Sequence, residues 1–158
     1  MADMVKVRSA TDVTVSLFDP TIPIRKVWEK RGSIVPIERD KLIQLYYNSS
    51  LRNALLNGTL VIEDKGFLYE VGHISDPDEF ISTVELTPAL MKRCISVMPV
   101  TELKNTLKTL SKYQIEELAE YAITNHNDLR MDRIDLLSKA SGKDILKAIE
   151  LYRKAQED

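Results

Sequence analysis

The chain has 158 residues, 44% of them apolar and 29% charged, with a formal net charge of −2. That length suits one medium domain or two small ones, and the composition is that of an ordinary soluble globular protein. The near-neutral balance excludes an overall basic field that would draw in nucleic acid or anionic lipid. Residues 1–86 carry a balance of −3 and residues 87–158 one of +1. With one cysteine, Cys94, no intrachain disulfide forms. Cys94 sits in the apolar stretch ALMKRCISVM and reads as a small buried hydrophobe. The opening MADMVKVRSA lacks an apolar segment, so no signal peptide is expected. No apolar run approaches the roughly 18 residues needed to span a bilayer.

The valine- and threonine-rich stretch VKVRSATDVTVSLFDP reads as one strand centred on Val13–Leu17, closed at Asp19-Pro20. Pro23 in TIPIRKVWEK points to an edge position. A turn at Arg31-Gly32-Ser33 precedes extended structure in SIVPI. Helical spacing runs from Ile37 and Glu38 to about residue 47, with Ile37, Leu42, Leu45 and Tyr46 on one face. Ser49 or Ser50 caps a second short helix, SSLRNALLNG, which Gly58 closes. Two β-rich runs, Thr59–Ile62 and Phe67–Val71, flank Asp64-Lys65-Gly66 and predict a hairpin. A polar connector follows, with a short helix expected after Ser75. From Thr87-Pro88 the spacing predicts helices only: one ended by Pro99, one opened by Thr101, and one behind a Ser111–Gln114 capping box. Beyond a break at NHND the sequence predicts two more, separated by Gly142. The fold class expected is α+β. Residues 1–72 form a mixed part with strands, two short helices and a hairpin. Residues 73–86 form a connector, and residues 87–158 a helical part.

Signals for chemistry are sparse. His73 stands near Asp76, Asp78 and Glu79, but SDPDE reads more simply as a solvated turn, so no metal site is assigned. No nucleophile elbow or phosphate loop occurs, and the SGKD at 141–144 has a single glycine. The adjacent acids Glu116 and Glu117 should point in different directions on a helix. No catalytic residue and no cofactor is assigned, and the chain is expected not to be an enzyme. One alternative comes from element order: a helix at 38–47, a tight turn, a helix at 51–57 and a hairpin at 59–72 follow the order of a winged helix-turn-helix. A DNA-binding regulator of that kind would read bases with Arg52, Asn53 and Asn57. The acidic wing tip EDKG opposes phosphate contact, so nucleic acid is not the partner expected.

The ordered elements VW, Gly32, a helix with paired leucines and then LRNALLNGTLVIED span residues 27–64. With the tail MDRIDLLSKASGKDILKAI, residues 131–149, they resemble small proteins encoded among the virion genes of tailed bacteriophages. The family places a proline–glycine turn after its first helix, where this chain has YYNSSLRNA. The resemblance implies a virion structural or accessory protein, assembled in the host cytoplasm. It would be head-associated and bind capsid or neck and tail proteins in many copies. An edge strand within residues 10–30 would offer strand addition, and the first ten residues would form an arm that orders on assembly.

The only tryptophan, Trp28, lies in RKVWEKR. If this stretch is extended, Lys26, Trp28 and Lys30 share one face and Arg25, Val27, Glu29 and Arg31 the other. Trp28 then reads as an anchor for the helix at 38–47, with the stems of Lys26 and Lys30 flanking the ring. Arg25, Lys26 and Arg31 supply a charged side for a protein neighbour.

Overall fold

Hydroxyl side chains divide the N-terminal valine-rich run. Ser9 Oγ accepts from the Thr11 amide and Thr11 Oγ1 from the Val13 amide, which turns the backbone out of extended structure. In the computed structural model, which describes residues 3–22, 24–48 and 50–157, the run is therefore two strands: β1 (Met4–Ser9) and β2 (Val15–Asp19). The single strand expected over this stretch is thus corrected. Within the ten-residue arm expected there, Met4–Ser9 is the middle strand of a sheet. Pro23 and Ser49 lie outside the described residues.

The protein is α+β. Strands β3 (Ile24–Trp28), β4 (Ile34–Glu38) and β5 (Leu60–Val61) complete two small sheets, one ordered β4-β1-β5 and the other the two-stranded ribbon β2-β3. All pairings are antiparallel. The Ser9 amide donates to Ser33 O and the Arg39 amide to Asp3 O, so the odd-numbered residues of β4 direct their backbone groups at β1. Pro36, an even position, turns its donorless nitrogen to the free edge, where a strand tolerates proline.

Helices α1 (Arg39–Asn48) and α2 (Leu51–Asn57) follow, and α2 ends on Gly58 at φ 85°. Ser50 precedes α2 without a side-chain capping bond. The hairpin expected at 59–72 does not form. Leu60 and Val61 pair with Ser9 and Arg8 of β1. Lys65–Glu70 is helix α3, capped by Asp64, whose carboxylate accepts from the Phe67 amide at 3.0 Å. The β-forming residues Phe67, Leu68 and Val71 fall on one helical face, which is buried. Burial of that face outweighs their strand propensity. The winged helix-turn-helix order therefore lacks its hairpin. No helix forms after Ser75 either. Asp76 accepts from the Asp78 amide in a turn, and Glu79 takes the amide and hydroxyl of Ser75.

By contacts the chain divides into Met1–Glu85 and Leu86–Asp158. Residues 73–85 thus belong to the first unit, where Ile74 is buried and Ile81 packs on the core. That core gathers Trp28, Leu42, Leu45, Leu51, Phe67 and Leu68. The second unit is helical: α4 (Pro88–Ile95), α5 (Val100–Thr109), α6 (Lys112–Thr124), α7 (Ile134–Ser141) and α8 (Ile145–Glu157), with a 3-10 turn at Met131–Arg133. Helix α6 packs on α4, α7 and α8. Thr87 caps α4, Ser111 and Gln114 form a capping box on α6, and Gly142 at φ 72° ends α7. Pro99, not Thr101, stands at the start of α5. No helix among the described residues is long and apolar enough to cross a membrane.

Candidate interaction surface

The β2–β3 ribbon separates its side chains by the two-residue period of a strand. Register pairs Val15 with Trp28, Leu17 with Lys26 and Asp19 with Ile24 on the inner face. It pairs Ser16 with Val27 and Phe18 with Arg25 on the outer face. Trp28 is 0% exposed and donates its indole N–H to Val7 O of β1 at 2.9 Å, so one side chain ties the ribbon to the other sheet. Its ring belongs to the same apolar cluster as Leu42 and Leu45 of α1.

The outer face is unusual in its mixture. Phe18 is 62% exposed and Val27 40%, and Arg25 lies directly across from the phenyl ring. Arg31 sits on the turn after β3, where its guanidinium holds both oxygens of Asp12 at 2.8 and 3.3 Å. This pairing lowers the Asp12 pKa and raises that of Arg31. Lys26 is half-buried and, with Arg25 and Lys41, lines a groove of about 280 Å³ between β3 and the free edge of β4. Glu38, also in the groove, pairs with Lys41 at 3.6 Å. The structure thus brings Arg25, Lys26 and Trp28 to one ribbon, with Arg31 at its end. Phe18 was not singled out from sequence. Its alternation within VSLFD was readable, but its place opposite Arg25 depends on register.

The residues considered for base reading are differently disposed. Arg52 lies close enough to Tyr46 for its charge to act on the phenol, Asn57 Oδ1 accepts from the Thr59 amide and hydroxyl, and Asn53 is exposed. Tyr46 is buried and its hydroxyl meets His73 Nδ1 at 3.1 Å. Burial raises the tyrosine's pKa. Burial, then the Arg52 charge, lowers that of His73. His73 is therefore neutral near pH 7, and one hydrogen is shared between its Nδ1 and the phenol. It pairs with Tyr46, while Asp76 is used within its own turn. Among the described residues no group of three His, Cys, Asp or Glu side chains is placed to hold a metal ion. Cys94 is fully buried, and burial pushes its thiol up to about 11, far from nucleophilic.

The fold and surface define an α+β protein with an apolar and basic ribbon face. No family model, curated protein or solved structure matches the chain.

Proposed function

We propose that the chain is a non-enzymatic structural or accessory protein of a bacteriophage particle, present in many copies and bound to capsid or neck and tail proteins. The observation that supports this reading is the outer face of the β2–β3 ribbon, where exposed Phe18 and Val27 stand beside Arg25. An exposed aromatic next to an arginine is the composition of an interface centre rather than of ordinary surface. Trp28 fixes that face from behind, so the ribbon meets a neighbour already ordered. Among the described residues β2 pairs only with β3, which leaves its other edge for strand addition.

Mass spectrometry of purified phage particles from the genome encoding the chain tests the proposal. The expected result is the chain in fixed stoichiometry to the capsid protein. A Phe18→Asp variant should remain folded and fail to enter particles. Particles that lack the wild-type chain would overturn the reading.

A further inference from the structure

Helix α6 carries Tyr113, Glu116, Glu117, Glu120, Tyr121 and Thr124 at helical spacing, on the side away from its buried Leu118, Ala119 and Ala122. With Met91 of α4 and Lys143 they line an open groove of about 560 Å³. Glu116 and Glu117, one helical step apart, both border this groove. Its lining includes two tyrosines and Met91, and three carboxylates against one ammonium. The groove already holds a cation of its own: Lys143 Nζ meets Glu120 at 2.8 Å, and the Glu120 contact raises the lysine's pKa. Tyr113 donates to Glu117 at 3.0 Å. Two carboxylates remain in excess.

The β2–β3 ribbon has the converse composition. Among the described residues the side chain of Arg25 enters no ion pair, and Phe18, directly across from it, and Val27 share its face. We propose that the α6 groove binds the β2–β3 ribbon of a second copy of this chain. Phe18 meets the tyrosines of the lining, and Arg25 meets the excess carboxylates. The fit is local, since the first unit as a whole is acidic. The contact joins two different patches, so it is heterologous and repeats from copy to copy, giving a ring or an open filament. It deepens the multi-copy reading of the proposed function and rests on it for biological context only.

Sedimentation of the purified full chain over a concentration series tests the contact. Wild type should grow beyond the dimer as concentration rises, less so at high salt. Arg25→Glu and Glu116→Lys, both at exposed positions, should each weaken self-association by roughly tenfold or more, because each sets like charges face to face. An equimolar mixture of the two variants offers an intact ribbon for an intact groove and a charge-exchanged ribbon for a charge-exchanged groove, so it should associate with the two variants alternating where neither does so alone. That mixed association also shows that both variants are folded. The double variant, with its charges exchanged, should recover the growth of wild type. A wild-type chain that stays monomeric up to its solubility limit overturns the inference, as do single variants that associate like wild type or a mixture that does not pair. Each of those results leaves particle incorporation a separate measurement.

Discussion

Trp28 and Arg133 are the largest fully buried side chains of the two units, and each directs N–H groups at main-chain carbonyls. Trp28 bridges two sheets, with an indole donor on Val7 O and an apolar ring in the core. Arg133 is 1% exposed, and one of its guanidinium nitrogens reaches Cys94 O at 2.9 Å and Met98 O at 2.6 Å. It thus closes the carbonyl end of α4, which a helix cannot satisfy by itself. Its other contact is Asp132 at 3.1 Å. A sheet-built unit needs an apolar bridge between segments that do not hydrogen-bond to each other. A helical unit needs partners for its chain ends, and here a buried cation supplies them.

Three substitutions sharpen that contrast. The largest effect is expected for Trp28→Ala, which removes the bridge and leaves a cavity. It should cost about 3–5 kcal/mol in denaturant titration, while Trp28→Phe should cost less. A Trp28→Ala variant of full stability would remove the anchor role. Next is Arg133→Met, which keeps the apolar stem and removes the donors. Two carbonyls then lose a partner, and the expected loss is about 1–3 kcal/mol. Cys94 reports it independently, because its buried thiol should react with a thiol reagent faster in the variant. The smallest effect concerns His73 in the first unit. Its pKa is lowered from the ordinary 6.5 in the folded state, so the unfolded chain takes up the proton more readily. The stability this group contributes is full above pH 6.5. It falls as pH drops through 6.5 and levels off below the lower folded value. His73→Gln should flatten that slope in a pH series of unfolding midpoints, and an unchanged slope would assign it to other groups.

The same contrast governs what could be read from sequence. Caps are local, so Thr87-Pro88, Ser111 with Gln114, Gly58 and Gly142 were legible and stand where expected. The partner of Leu60–Val61 was not, because it is β1, some fifty residues earlier in the chain. Asp64-Lys65-Gly66 serves a hairpin turn and a helix start equally well, and burial of Phe67 and Leu68 decided between them. For the candidate surface, the alternation that puts Trp28 inward and Arg25 outward was legible. The pairing of Arg25 with Phe18 and of Tyr46 with His73 was not, since each joins segments whose register or packing no local pattern sets.

Pro36 has a consequence for how safely such a chain can accumulate. Free strand edges template further strands, and a protein made in many copies is exposed to that hazard in proportion to its concentration. At the middle of the β4 edge the nitrogen that would receive an incoming carbonyl carries no hydrogen. Fibrous stacking along that side is thereby interrupted, and the neighbouring ribbon stays a separate, addressable face.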